Sequence, residues 1–148
     1  MKKVILLIIL LTYGTSISAA EKEINITFTQ ESAKYWQYIS DRTMGGVSDG
    51  QAVLEQDGTM YFARLTGNVS TKNNGGFIQL RSNLSFSNFE KDSKKLKGVR
   101  LNVRGNGETY HIFIRTNETR SYRDFYLMSF VANSNWEMID LPFNKFIY

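Results

Sequence analysis

Four carboxylates stand close together in one stretch of the chain: Asp41, Asp49, Glu55 and Asp57. Two carboxyl groups at a suitable separation can hydrolyse a glycoside, one as acid and one as base or nucleophile. Local turns account for half of this set. Asp57 precedes Gly58 in a tight hairpin, and Asp49-Gly50 reads as an ordinary turn pair. Ser48 and His111 supply the hydroxyl and imidazole that nucleophilic catalysis needs. His111, however, lies between Tyr110 and Ile112 on the outward side of an alternating strand, which gives it a solvent-facing or cross-strand role. The chain has no Cys and one His, so thiol nucleophiles, disulfides, thiolate metal sites and multi-histidine centres are excluded. Calcium could be held by Asp, Asn and backbone carbonyls, but no spaced acidic loop specifies it. The expectation is a chain with no catalytic residue, no metal ligand and no cofactor, and not an enzyme.

Three Gly-containing loops carry the remaining candidates. Ser40 to Gly50 reads SDRTMGGVSDG, where Gly45 and Gly46 imply backbone geometry or a close approach that a Cβ would obstruct. Asp41, Ser48 and Asp49 can bond local amides and fix that loop. Asn73-Asn74-Gly75-Gly76-Phe77 is a turn that opens into a strand, and Gly105-Asn106-Gly107 reads as a hairpin. None has the strand–loop–helix setting of a phosphate-binding loop, so each reads first as a turn between strands. Tyr35, Trp36 and Tyr38, and later Tyr122, Phe125 and Tyr126, could stack on sugar faces if exposed. Trp36 and Trp136 read first as core anchors, because such rings bury large area.

The elements that position these loops are strands. Ile24 to Phe28 alternates apolar with polar, and Val53 to Leu65 forms two arms around Asp57-Gly58. Phe77 to Leu84 alternates again. Val99, Leu101 and Val103 share one face, and Tyr110, Ile112 and Ile114 face inward on a return strand beyond Gly105 to Gly107. Phe125 to Val131 and Trp136 to Leu141 read as one further pair around Asn133 to Asn135. Helical periodicity is confined to one or two turns within Glu31 to Ile39. Seven or eight short strands without crossover helices predict one all-β domain, an antiparallel sandwich or jelly roll.

The N-terminus has a different character. Lys2-Lys3, the apolar run Val4 to Leu11 (VILLIILL) and Ser18-Ala19-Ala20 have the layout of a secretory signal peptide over residues 1–20. The run is too short for a membrane span, which needs about twenty residues. The expectation is an exported, periplasmic or secreted domain over residues 21–148, in contact with membrane only if the signal stays uncleaved. Removing the leader lowers the formal charge from +4 to +2. That balance, and a basic cluster at Lys91 to Lys97 that contains an acid, argue against a nucleic-acid partner. The Asn-x-Ser/Thr sites at Asn25, Asn68, Asn83 and Asn117 read as chance occurrences, because the short Lys-Lys signal is of bacterial type.

Four blocks of the chain resemble the complex I intermediate-associated protein 30 family. The first is Trp36 followed by Ser40-Asp41-Arg42-Thr43-Met44-Gly45-Gly46-Val47-Ser48, and the second is Asn73-Asn74-Gly75-Gly76-Phe77. The third is Val103 to Tyr110 (VRGNGETY) with Ile114-Arg115-Thr116, and the fourth is Trp136 with Leu141-Pro142-Phe143-Asn144-Lys145-Phe146. The resemblance implies a galactose-binding-like β-sandwich and a non-enzymatic, chaperone-like role. Its mitochondrial members help to build NADH:ubiquinone oxidoreductase, respiratory complex I. In relatives the domain continues past the Pro-Phe-x-x-Phe block, so the resemblance also implies a C-terminally truncated domain. On this reading the binding residues are Trp36, Asp41, Met44, Gly45, Gly46, Ser48, Asn74, Gly75, Gly76 and Phe77. The partner is then a protein, an assembly intermediate or an unfolded client. A carbohydrate-binding module of the same sandwich type is the alternative, with a glycan as its ligand.

Overall fold

The computed structural model describes residues 2–12, 25–83, 96–121 and 123–148, the first segment by its backbone path. Among the described residues the chain forms nine strands and no α-helix. They are β1 (Lys2–Thr12), β2 (Trp36–Ser40), β3 (Asp49–Asp57), β4 (Met60–Val69), β5 (Ile78–Ser82), β6 (Gly98–Gly105), β7 (Thr109–Ile114), β8 (Tyr126–Val131) and β9 (Glu137–Pro142). Five make an antiparallel sheet in the order β3-β4-β1-β6-β9, and β2-β5 and β7-β8 form two antiparallel ribbons. The all-β antiparallel class expected from the strand pattern is the one found.

Alternation explains the main core. In β6, Val99, Leu101 and Val103 are buried at 8%, 1% and 0% exposure, while Arg100, Asn102 and Arg104 between them are half-buried. Leu65 of β4 and Leu141 of β9 join the same inner face, and Tyr110, Phe130 and Ala132 close over it from the other layer. Both ribbons contribute: Tyr38 and Ile78 from one, Ile112, Ile114 and Met128 from the other. Each fully buried aliphatic side chain here is worth about 1.5–3 kcal/mol of transfer free energy. The opposite face of the sheet has its own small cluster. Phe62 meets Trp136 edge-on at 5.4 Å, and the Arg104 guanidinium lies 4.9 Å from the Trp136 ring.

Several sequence expectations change. The hairpin at Asp57-Gly58 is present, with Gly58 at φ +60°, but its strands run further than expected. Asp49-Gly50 is not a turn; it opens β3 opposite Asn68 and Gly67. Gly105 to Gly107 and Asn133 to Asn135 are not hairpins either. β6 pairs with β9, and β7 pairs with β8. Both turns are therefore arches that carry the chain from one layer to the other. The arches lie side by side, with the Gly105 amide donating to the Asn133 carbonyl and the Gly107 amide to that of Ala132. Alternation alone cannot tell an arch from a hairpin, because both keep the apolar face toward the core. Within Ile24 to Phe28 the alternation predicts burial correctly, with Ile26 and Phe28 at 3% and 4% exposure, yet residues 26–29 are not part of a strand. One 3-10 turn (Ser32–Tyr35) stands where helical turns were expected.

The N-terminal run is seated in the main sheet. β1 lies between β4 and β6 and is antiparallel to both, with Leu6 opposite Leu65 on one side and Gly105 on the other. An uninterrupted apolar run is also the composition of a strand covered on both faces. The cleavage motif Ser18-Ala19-Ala20, residues 91–95 of the basic cluster and Tyr122 lie outside the described residues.

Candidate functional site

The first Gly loop begins where β2 ends. A 3-10 turn (Asp41–Met44) follows Ser40 and is closed by Gly45 in the left-handed region at φ +86°. The second loop contains two successive left-handed asparagines, Asn73 at φ 56° and Asn74 at φ 58°, and Gly76 at φ +139°. β2 pairs with β5, which brings the two loops together, because Ser40 stands opposite Ile78.

They meet on one carboxylate. Asp41 is 0% exposed, and its backbone amide donates to the Phe77 carbonyl at 3.2 Å. Its Oδ1 accepts the Ser48 amide at 2.9 Å. Its Oδ2 accepts the Ser48 hydroxyl at 2.5 Å, the Gly76 amide at 2.6 Å and the Phe77 amide at 3.3 Å. Burial pushes this carboxyl upward, but those donors outweigh it and bring its pKa from the ordinary 3.8 down to about 2. Ser48, also 0% exposed, extends the network by accepting the Ser70 amide at 3.0 Å, which ties in the end of β4.

The glycines follow from this packing. A Cβ on Gly46 or on Gly75 would fall within the Asp41 carboxyl group itself. Gly45 has open space around it and is needed for its positive φ instead. One Gly from each loop, Gly46 and Gly75, thus packs against a single buried anion. A cross-loop bond from Asn73 Nδ2 to the Gly45 carbonyl, 3.3 Å, completes the assembly.

This geometry limits the chemistry. A carboxylate offers about four lone-pair positions, and Asp41 receives four donors, one on Oδ1 and three converging on Oδ2. It is a ready-made hub rather than an acid, a base or an open metal ligand. The Ser48 proton is given to Asp41, and His111 Nδ1 lies 2.8 Å from Ser129 Oγ on the β7-β8 ribbon. The other clustered carboxylates meet cations: Asp49 with Arg42 at 3.4 Å, Glu55 with Arg64 at 3.3 Å, and Asp57 with Arg104 at 4.0 Å. Among the described residues no three His, Asp or Glu side chains gather to hold a metal.

Of the residues singled out in the sequence, Asp41, Gly46, Ser48, Gly75, Gly76 and Phe77 come together, with Gly45 and Asn74 on the rim. Met44 is on the outer side of the loop at 63% exposure. Trp36 stands apart at the other end of β2, opposite Ser82, with its ring 5.0 Å from that of Phe28. Asn73 and Val47 lie within the two loops singled out in the sequence but not among the candidate binding residues; Asn73 joins the network and Val47 is 43% exposed beside Met44, while Ser70, which completes the network, was missed. The two Gly pairs were the available signal that the loops share a partner. Nothing local to Ser70 marks it.

A model of the family described as Complex I intermediate-associated protein 30 (CIA30) matches residues 26–148. No curated protein and no solved structure matches the chain. The matched region includes both Gly loops, the whole Asp41 network and the two arches, and it leaves out β1. A match of that extent settles the relationship, and the chain belongs to the complex I intermediate-associated protein 30 family.

Proposed function

We propose that this domain is a non-enzymatic, chaperone-like protein-binding module, and that the paired Gly loops are its contact surface. The observation that carries this reading is the division of labour within the first loop. Its polar residues, Asp41 and Ser48, are fully buried, and they hold up the exposed apolar residues Met44 and Val47. Apolar side chains presented on a rigid loop suit a protein surface better than a small polar substrate. Family membership supports the same direction, since the family is named for association with complex I intermediates. The leader-like N-terminus adds the proposal that the domain works after export, on a client outside the cytoplasm.

The test is suppression of aggregation of a chemically denatured model client by the purified full chain. Met44→Asp with Val47→Asp is expected to abolish suppression while the melting temperature shifts by no more than about 2 °C, as for surface changes. Wild-type chain that suppresses nothing, or a double variant that suppresses fully, would overturn the reading.

One observation favours the glycan alternative. Phe113 is 48% exposed on β7, edge-on to Phe125 at 4.8 Å and beside the His111–Ser129 pair. A sugar face could stack on that ring with polar groups at its edge. Trp36 and Tyr126 suit the role less, since their rings lie against Phe28 and Tyr148. Affinity electrophoresis on polysaccharides, with Phe113→Ala as the control, separates this reading from the first.

A further inference from the structure

Sulfur chemistry in this chain belongs to methionine alone, because there are five Met and no Cys. Met1 lies outside the described residues, and the other four stand in different surroundings. Met128 is half-buried against the main core. Met60 is half-buried against Phe62, and its Sδ accepts the Asn102 side-chain amide at 3.9 Å. Met138 is 53% exposed on β9, opposite Asn102. Met44 is the most open of the four at 63%, and among the described residues its side chain has neither a hydrogen-bond partner nor a ring against it.

The backbone beneath Met44 is fixed although its side chain is not. The Gly45 amide donates to the Arg42 carbonyl at 3.2 Å, the Gly46 amide to that of Asp41 at 2.9 Å, and Asn73 Nδ2 to the Gly45 carbonyl at 3.3 Å. None of these bonds involves the thioether, so chemistry at Met44 Sδ changes what the loop presents and leaves the loop standing. A thioether is apolar and polarizable, and its flexible stem adapts to varied apolar surfaces. A sulfoxide at the same position is a polar acceptor that the apolar surface of a client cannot pair.

We infer that Met44 is a reversible oxidation site, at which peroxides convert the contact surface from a binding to a released state. A lone pair of Sδ attacks one peroxide oxygen, the O–O bond breaks and the S–O bond forms. Sulfur gives up two electrons, and hydrogen peroxide is reduced to water. In the reverse step a dithiol supplies two electrons and two protons through methionine sulfoxide reductases, the oxygen leaves as water and the dithiol becomes a disulfide. The inference rests on the protein-binding reading above and adds the regulation of that surface.

The test uses the purified full chain, with hydrogen peroxide as oxidant, peptide mass mapping to locate the added oxygen, and suppression of client aggregation as the readout. Oxygen is expected on Met44 and Met138 before Met60 and Met128, following exposure. Once Met44 is converted, half-suppression is expected to need at least about tenfold more chain, the factor for one buried polar group left unpaired. Methionine sulfoxide reductases A and B with dithiothreitol are expected to restore the original value. Met44→Leu, whatever its own starting value, should give the same value before and after peroxide, whereas Met138→Leu should stay as sensitive as wild type. The melting temperature should move by no more than about 2 °C on oxidation, as for a surface change.

Full suppression by chain that carries the sulfoxide at Met44 overturns the proposal. So does an equal peroxide loss in Met44→Leu, which places the damage elsewhere, or a large fall in melting temperature, which makes the effect one of unfolding. Untreated wild type that suppresses nothing removes the protein-binding reading, and the oxidation switch falls with it. Wild type that suppresses equally well before and after oxidation removes the switch alone.

Discussion

Asp41 ties the two Gly loops together, and it does so as a charged acceptor. The folded carboxyl titrates near 2, whereas an unfolded Asp titrates near 3.9. A depressed folded value contributes stability above the unfolded value and loses it as the pH falls toward the folded one. Urea unfolding should therefore show a stability loss between about pH 4 and pH 2. Asp41→Asn should flatten that acid limb and lower stability at neutral pH, because an amide cannot accept four donors. A limb unchanged in the variant would assign the loss to other carboxylates. The glycines give a second residue-level contrast. Gly45→Ala should cost about 1–2 kcal/mol, the ordinary penalty of a left-handed alanine. Gly46→Ala should cost about 3 kcal/mol, at the upper end for overpacking, because its Cβ would collide with a buried, fully bonded carboxylate. Denaturant titration of both variants measures the difference, and equal costs would argue against the tight packing on Asp41. The sequence showed that Asp41 and Ser48 could brace their own loop. It could not show that the same oxygens reach the Gly76 and Phe77 amides 35 and 36 residues away, since that contact exists only once β2 pairs with β5.

At the scale of elements, the periodicity of two was read correctly wherever it concerned faces. Val99, Leu101 and Val103 point into the core, as do Tyr110 and Ile112. Connectivity was less legible. Gly105-Asn106-Gly107 has the composition of a hairpin, yet Arg100 finds its cross-strand partner in Asp140, forty residues on, with bonds of 2.5 and 3.0 Å. The partner was invisible because a strand pattern specifies which face is buried and not which edge is paired. Asp140→Ala should therefore cost about 0.2–1 kcal/mol, the range for a cross-strand ion pair. Phe62→Ala should cost about 3–5 kcal/mol, since it empties the cluster under Trp136 on the other face. If Phe62→Ala proved neutral by thermal or denaturant unfolding, that outer cluster would not be part of the stable core. Trp36 was readable as a core anchor or as a binding residue, and its packing against Phe28 fits the first.

The whole molecule is a sandwich whose parts are joined by few, specific links. Two Gly loops close on one buried anion, two arches are bonded to each other, and β1 spans two half-sheets. The fold class was legible in the strand pattern and the four family blocks. The layering of the sheets was not, because it depends on pairings between distant segments. Those pairings also have a consequence for how the chain reaches its native state. Among the described residues the β3-β4 hairpin is the only neighbouring pair of strands joined by a short turn, closing from Asp57 to Met60. The β7-β8 ladder closes a longer loop, from Ile114 to Tyr126, and the remaining ladders among the described residues join segments far apart in the chain. Folding dominated by such long-range closures takes on the order of milliseconds to seconds. In stopped-flow refolding, a substitution that weakens the turn, such as Gly58→Val, is expected to slow the folding limb. Asp140→Ala is expected to speed unfolding instead. The chain would then commit to its topology at one local turn, long before the surface that meets a partner exists.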